Sequence, residues 1–417
     1  MSLRRAVAMC LCAAVAVSPA LAAGGKAAAS EKKTVTLEYC IWSDEEPYIR
    51  DVVDRWNADR KDIQVNLTVI PNNDYDNKIK VLLSAKASVD LLGVRTLSEV
   101  LQFQTTKSLL DITDRIKRSD LDVSAYGSMF NNITVNGRYY GLPARSSCWV
   151  LYYNKDIFDK AGVPYPKQMT WTQYRELAKR MTSGEGKDKV WGSYWFPFVF
   201  QAIATQQAAY LIDDDLTLVR KALEMVNDFY NIDKSHMSYF EIAATSPSST
   251  ALFESGRLAM LPVGEWTLST LKSHAAQGKT NVNWDIAPMP ITEGREPGTT
   301  WGQFAFVGIN SATKKADAAF EFMKYICGEN GARIYAKHAM LPAYCDDEIK
   351  KIYVEAVGKE SSSVFFGARK VQEQPPYANY NRIDKVFQEQ AQLYFLGEKT
   401  LDETMAEFVK RRAALVK

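Results

Sequence analysis

The sequence predicts an α/β fold with a mostly parallel sheet, and three observations support this class. Strand-like alternation and helical periodicity follow one another from residue 34 onward, in the order β-α-β-α-β. The 417 residues are 47% hydrophobic and 24% charged, which is enough apolar material for two or three globular domains. No linker-like or low-complexity segment separates the α/β units, which indicates short connections between them.

The first 22 residues have the pattern of a secretory signal peptide. Arg4 and Arg5 precede an apolar stretch at 6–17, which is too short to span a bilayer. Small residues in an Ala-x-Ala arrangement follow and predict cleavage after Ala22. We therefore expect residues 1–22 to be removed and the mature chain to be exported to a bacterial periplasm.

The mature chain begins with alternating strand and helix patterns. Strands are predicted at 35–42, 63–69 and 89–94, and helices at 49–56 and 78–83. Ligands of open parallel sheets bind at the carboxyl ends of strands. The loops at 43–46 and 95–96 are therefore the first candidates for a binding site.

The middle of the chain repeats this alternation. Cys148 to Tyr153 form an apolar, aromatic strand pattern. Thr170 is a predicted helix cap, followed by an apolar helical face at 174–181, and a further helix carries apolar residues at 222–229. These patterns predict a second α/β unit.

Charge and histidine content exclude several classes of function. Lysine and arginine number 51 against 49 acidic residues, so no basic surface for nucleic acid is indicated. Three histidines in 417 residues make a histidine-rich metal site improbable. We predict neither a metal nor a cofactor.

Cys10 and Cys12 belong to the predicted signal peptide, and neither follows a lipoprotein-type tripeptide, so we expect no lipid anchor. Four cysteines remain in the mature chain: Cys40, Cys148, Cys327 and Cys345. Buried thiols and a Cys327–Cys345 disulfide are both compatible with this pattern in an oxidising compartment. The sequence leaves the choice open.

Several segments, in a constant order, carry a family resemblance. They are Tyr140-Gly-Leu-Pro with 151–156, Ala251 to Met260 with Gly264-Glu-Trp, Pro288-Met-Pro, Phe306 to Asn310, and Leu341-Pro-Ala. Together they resemble the extracellular solute-binding proteins of bacterial ABC sugar importers, the family that includes maltose-binding protein. The resemblance covers nearly the whole mature chain.

The resemblance implies a two-lobed periplasmic-binding-protein fold with a ligand cleft between the lobes. Three hinge crossings are expected near Pro143, Gly308 and Pro342. The N-terminal lobe would contain residues 34–142 plus 310–342, and the C-terminal lobe residues 143–309 plus 343–417. Closure of the lobes around a ligand needs no chemistry.

The function implied is reversible capture of a mono- or oligosaccharide for delivery to membrane permease subunits. We expect a monomer that binds no nucleic acid. The resemblance places ligand contacts in the second lobe at Trp266, the stacking tryptophan of the family motif, and at Trp195, Phe196, Trp301 and Gln303.

In the first lobe, Asp44 and Glu45 follow the first strand and could hold sugar hydroxyls, and Arg95 ends the third strand. Ser147 occupies the position of a glutamate in maltose-binding protein. A final group, Asn379, Tyr380, Asn381 and Arg382, lies where the family often has aromatic contacts. This amide-rich departure makes a maltodextrin ligand an unsafe inference.

Two other functions remain open from the sequence. A glycoside-processing enzyme needs two carboxylates across one bond, and Asp44, Glu45, Glu46 and Glu265 could supply them. However, no hydrolase motif is present, and we predict no enzyme. The same fold could instead bind an acidic sugar, a phosphorylated polyol or a polyamine.

Overall fold

Strands and helices alternate over residues 35–105, as expected from the sequence, and longer runs of helices follow in the rest of the chain. The computed structural model describes residues 34–85, 87–196 and 199–416. The predicted signal peptide, residues 1–22, lies outside the described residues. Among the described helices, none is long and apolar enough to cross a membrane.

Ten strands are named in chain order: β1 Val35–Trp42, β2 Ile63–Ile70, β3 Leu91–Val94, β4 Leu142–Ser146, β5 Trp149–Asn154, β6 Met260–Gly264, β7 Trp284–Ala287, β8 Thr299–Gly302, β9 Phe304–Ile309 and β10 Arg369–Gln372.

The α-helices are α1 Glu46–Asp59, α2 Tyr75–Ser84, α3 Leu97–Thr105, α4 Thr113–Arg118, α5 Lys155–Ala161, α6 Trp171–Met181, α7 Ala202–Thr205, α8 Thr217–Asn227, α9 Tyr239–Thr245, α10 Ser249–Glu254, α11 Trp266–Ala276, α12 Ala316–Cys327, α13 Glu329–Lys337, α14 Asp347–Val357, α15 Val364–Gly367, α16 Tyr380–Phe395 and α17 Leu401–Arg412.

The first sheet has five strands in the order β2-β1-β3-β9-β4. β1 is parallel to β2 and β3, whereas β9 is antiparallel to β3 and β4. Helix α1 buries Ile49, Val52, Val53 and Trp56, the face that the sequence periodicity predicted. The predicted β-α-β-α-β beginning is confirmed.

The second sheet has the order β6-β5-β7, and β5 is antiparallel to both neighbours. This differs from the mostly parallel sheet that the sequence predicts. Trp149, at the start of β5, lies opposite Gly264, at the end of β6. The residues that follow β6 therefore lie where β5 enters the sheet. A further pair, β8 and β10, is parallel.

Three chain segments run side by side between the first sheet and the second core. The Ser146 N–H donates to the Leu341 carbonyl at 3.0 Å, and the Ser147 N–H donates to the Gln303 carbonyl at 2.7 Å. Gly302 is required here, since a Cβ would lie 2.2 Å from the Ser147 carbonyl oxygen. Two of these segments lie within a few residues of the crossings expected at Pro143 and Pro342. The crossing expected near Gly308 lies instead at Gly302 and Gln303, because Gly308 pairs with Leu92 inside the first sheet.

Two hydrophobic cores flank the crossings. One contains β1, β2 and β3 with α1 and α12, and the other contains β5, β6 and β7 with α6, α8 and α16. Helix α6 begins with a capping box in which the Thr170 hydroxyl accepts from the Gln173 N–H. This confirms the predicted cap.

All four described cysteines are free. The Cys327–Cys345 disulfide considered from the sequence is therefore wrong for this structure. Cys327 is buried, with its thiol 3.6 Å from the Leu142 carbonyl, whereas the Cys345 thiol lies 3.7 Å from the Asp346 carbonyl. Burial raises the pKa of the Cys345 thiol to about 11, which disfavours the reactive thiolate.

Candidate functional site

A cavity of about 650 Å³ lies at the carboxyl ends of β1 and β3, against the three crossing segments. This is the edge of a parallel sheet where ligands bind in open α/β folds. Six residues predicted from the sequence line it: Asp44, Glu45, Arg95, Ser147, Trp266 and Gln303. Other lining residues include Trp42, Tyr48, Asn72, Arg145, His338, Met340, Glu373 and Gln374.

Arg145 joins the two sides of this cavity. Its Nε donates to Glu45 Oε1 at 2.7 Å, and its Nη1 donates to Glu265 Oε1 at 3.4 Å. Glu265 is fully buried, and its second carboxylate oxygen accepts the Cys148 N–H at 3.0 Å. Burial raises the pKa of Glu265 to about 7, against the opposing effect of Arg145.

Arg95 lies across the aromatic surface at the end of β1. Its guanidinium carbon is 4.6 Å from the Trp42 ring centroid, a cation–π distance. Its Nη2 donates to the Asn72 backbone carbonyl at 3.0 Å and to Asn72 Oδ1 at 2.9 Å, and its Nε lies 3.0 Å from Asp76. The charge of Arg95 is therefore already balanced within the protein.

Trp266 begins α11, two residues after β6 ends at Gly264. Its ring lies directly on Gly264, because a Cβ at that glycine would be 1.9 Å from a ring atom. The ring meets Trp149 edge to face, with the centroids 5.4 Å apart. Trp266 is half-buried and lines the cavity, so part of its indole is available to a ligand.

Acceptor oxygens are concentrated on the cavity wall. Glu373 accepts the Trp149 indole N–H at 3.2 Å, and burial raises the pKa of Glu373 to about 7. Gln303 Oε1 and Gln374 Oε1 are buried and have no hydrogen-bond partner in the described structure. An unpaired buried acceptor is costly, so a side-chain rotation that turned these amides toward a ligand with hydrogen-bond donors would relieve that cost.

The other predicted site residues do not line this cavity. Trp195 and Trp301 are 2% and 1% exposed. Trp195 packs edge to face with Trp171, and its indole N–H donates to the Val199 carbonyl at 3.1 Å, whereas Trp301 packs against Trp149. Phe196 packs edge to face with Trp149, with the ring centroids 6.0 Å apart. The geometry thus places these aromatic residues in the packing behind the cavity.

The predicted group at the start of α16 also lies away from the cavity. Tyr380 is fully buried, and Asn379 Nδ2 donates to the Leu415 carbonyl at 3.1 Å. Asn381 and Arg382 are exposed at the start of α16. The segment just before them, Glu373 and Gln374, supplies the wall instead.

Sequence reasoning missed Arg145, Glu373 and Trp42 as site residues. Trp42 ends the first strand, and Arg145 lies two residues beyond Pro143 in the first crossing, so position in the fold was a usable signal for both. Glu373 lies in no recognisable motif. Only the pairing of β10 with β8 brings it to the cavity.

Chemically, the cavity offers an indole face, amide and carboxylate acceptors, and two arginines that are already paired. Among the described residues, no group of three or more His, Cys, Asp or Glu side chains could hold a metal ion. The arrangement suits a neutral ligand with both hydroxyl groups and apolar faces.

Comparison with known proteins agrees with this architecture. A sugar transporter from Rhizobium etli, solved in an open conformation, has a TM-score of 0.80 and 26% identity, with 90% of this chain and 98% of that chain covered. A Listeria monocytogenes ABC substrate-binding protein in complex with cycloalternan has a TM-score of 0.77 and 23% identity, covering 91% and 99%.

Relatives found by sequence have similar identities and also cover long stretches. An arabinooligosaccharide-binding protein of Bacillus subtilis is 24% identical, covering 73% of this chain and 72% of its own. An sn-glycerol-3-phosphate-binding periplasmic protein of Pectobacterium atrosepticum is 22% identical, covering 88% of each. The family model described as bacterial extracellular solute-binding protein matches residues 42–332. With a two-core fold, a cavity against three crossings and a match over most of its length, the chain belongs to the bacterial extracellular solute-binding protein family.

Proposed function

We propose that this protein is the substrate-binding component of a bacterial ABC importer and reversibly captures a neutral sugar. The observation that carries the proposal is the cavity wall, which combines the half-buried indole of Trp266 with the amide side chains of Gln303 and Gln374. Sugar rings present apolar C–H faces for stacking and hydroxyl groups that donate hydrogen bonds. The sugar ligands of the Listeria and Bacillus relatives support the same class.

The charges favour a neutral over an anionic sugar. Arg145 and Arg95 are the arginines of the cavity, and both are already engaged by protein acceptors. Among the described residues that line the cavity, no unpaired arginine or lysine would balance a phosphate or uronate, and the Asp44 carboxylate would face it. A phosphorylated polyol, the ligand named for the Pectobacterium relative, is therefore the weaker candidate.

Capture requires no chemical conversion of the ligand. Glu45 and Glu265 bind the same guanidinium, so neither is positioned as an independent acid or base. We propose that the two cores move as lobes with the boundaries expected from the sequence, except that β4 and β9, which pair within the first sheet, move with the N-terminal lobe. Ligand contacts on both sides of the crossings would then shift the population toward a closed form. The closed form would be the one that permease subunits recognise.

We further propose that the mature chain begins after Ala22 and acts in the periplasm as a monomer. Mass spectrometry of protein from an osmotic-shock fraction gives the mature mass directly. Size-exclusion chromatography with light scattering gives the oligomeric state. A mass that retains residues 1–22, or a stable dimer, would contradict this part of the proposal.

Isothermal titration calorimetry with a ligand panel tests the ligand class. The panel contains neutral mono- and oligosaccharides, uronates, sn-glycerol 3-phosphate and spermidine. We expect saturable binding of a neutral saccharide. Chromatography after prolonged incubation with the protein should recover that saccharide uncleaved. At a hundredfold excess over Kd, that ligand stabilises the fold by about 2.7 kcal/mol. Tighter binding of sn-glycerol 3-phosphate, or release of cleaved sugar, would overturn the proposal.

A further inference from the structure

A second cavity, of about 750 Å³, lies on the opposite side of the three crossing segments. Ser146, Phe304 and Leu341 line it. Their neighbours Ser147, Gln303 and Met340 line the cavity that contains Trp266, which is called the sugar site from here on. Successive side chains of an extended segment point to opposite faces. The crossing segments are therefore a common wall between two cavities, and we name the second one the rear cavity.

The rear cavity is strongly cationic. Four basic residues line it, Arg295, Lys350, Arg369 and Lys370, against one carboxylate, Glu296. Within the part of the chain that the structure describes, Arg295, Arg369 and Lys370 make no ion pair. This contrasts with the sugar site, where both arginines are paired. An excess of unpaired cations in a concave site attracts anions.

Lys370 is held in place at the centre of this wall. Its ammonium donates to Ser146 Oγ at 2.7 Å, which fixes one of its three donors and leaves the others for a ligand. Lys350 is less available, because it donates to Asp347 Oδ1 at 2.7 Å. Lys370 is thus anchored to the first crossing through a hydroxyl rather than neutralised by a carboxylate.

Apolar side chains complete the cavity. Tyr126, Phe304, Leu341 and Phe365 line it together with the cations. We propose that the rear cavity binds a small organic phosphate, with the phosphate group at the Lys370 ammonium and the organic body against the apolar wall. Arginine and lysine bind phosphate oxygens by charge-assisted hydrogen bonds. This site is separate from the sugar site and does not depend on the identity of the sugar.

Calorimetry of the mature chain with phenyl phosphate tests the proposal. We expect one site, with an affinity that falls as salt is added, weaker binding of inorganic phosphate and no binding of benzyl alcohol. The double variant Arg369→Gln, Lys370→Gln should weaken phenyl phosphate by about tenfold or more. The matched control is Lys410→Gln, Arg411→Gln on α17, which removes the same charge from an adjacent Lys-Arg pair and should bind as the parent does.

Thermal unfolding by circular dichroism establishes that both double variants are folded, and the single variant Lys370→Gln repeats the test at the proposed phosphate contact. Equal losses of phenyl phosphate affinity in the cavity and control variants, or no binding of phenyl phosphate by the parent, would overturn the proposal.

A parallel experiment uses vesicles of phosphatidylglycerol and phosphatidylcholine. Binding to the anionic vesicles without binding of phenyl phosphate would assign the cations to lipid headgroups and overturn a small-molecule site.

Discussion

At the scale of single residues, Arg145 makes the closest electrostatic link between the two sides of the site. Replacing it with methionine leaves Glu45 and Glu265 buried without their shared cation. We expect Arg145→Met to lower the free energy of unfolding by about 3–5 kcal/mol, as measured by urea denaturation.

Arg138→Met is the control for this prediction. Arg138 pairs with Asp111, but its side chain is 62% exposed, and a surface pair contributes less than about 1 kcal/mol. Similar losses for the two variants would show that the buried network around Arg145 has no special role in stability.

Trp266 supplies flat apolar area with little rotamer freedom to lose on binding. We expect Trp266→Ala to weaken sugar binding by roughly 2 kcal/mol, on the scale of an aromatic hot spot. Trp266→Phe keeps a stacking ring and should lose less. Calorimetry measures both affinities, and thermal unfolding of each variant separates lost contact from lost fold. Parent-like binding by the alanine variant would exclude the stacking role.

Some of the site residues could be foreseen individually and others could not. Asp44, Glu45 and Arg95 follow predicted strands, and the ends of parallel strands meet at one edge. Arg145 acts through partners 100 and 120 positions away, and Glu373 bonds an indole 224 positions away. Periodicity carries no information about such distances.

At the scale of elements, the contact between Gly302 and the first crossing is the tightest constraint near the site. Gly302→Ala places a methyl group 2.2 Å from the Ser147 carbonyl oxygen, so the two crossing segments must separate. We expect a loss of about 1–3 kcal/mol in unfolding free energy, the cost of overpacking, together with weaker sugar binding.

Gly367→Ala provides the matched comparison. A Cβ at Gly367 meets no atom within 4 Å, and its backbone φ lies outside the left-handed region. Urea denaturation should therefore leave this variant close to the parent. A Gly302→Ala protein with the free energy of unfolding of the parent would show that the crossing segments separate at little energetic cost.

Element types were more predictable than their pairing. The faces of β1, α1 and α6 follow from local periodicity and from the Thr170 cap, so they emerged correctly from the sequence. The antiparallel second sheet and the β8–β10 pair depend on long-range register. Strand pairing is chosen by tertiary packing rather than by local propensity.

At the scale of the whole molecule, four carboxyl groups share one consequence of burial. Burial raises the pKa of Glu99, Glu265, Glu373 and Asp384 to about 7 each. Between about pH 5 and 7 these groups retain protons in the folded state but are ionised in the unfolded chain. The folded state then binds more protons, so stability should fall as the pH rises through this interval.

Urea denaturation at several pH values measures this slope, and Glu373→Gln isolates one group. The variant should flatten the slope between pH 5 and 7 by at most about 1.4 kcal/mol per pH unit. In the control Glu348→Gln, the lost group has a pKa lowered by Arg333, so its effect falls below this interval. A parent-like slope in Glu373→Gln would contradict the assignment.

The common wall between the two cavities also bears on how this protein is assayed. If the proposed lobes rotate about the crossing segments so that one cavity narrows as the other widens, an occupant of either cavity changes the free energy of binding in the other. Such an effect is reciprocal by thermodynamic necessity. A sugar titrated in phosphate buffer and again in Tris would then give two apparent dissociation constants. Their ratio would measure how much an anion in the rear cavity changes the affinity of the sugar site.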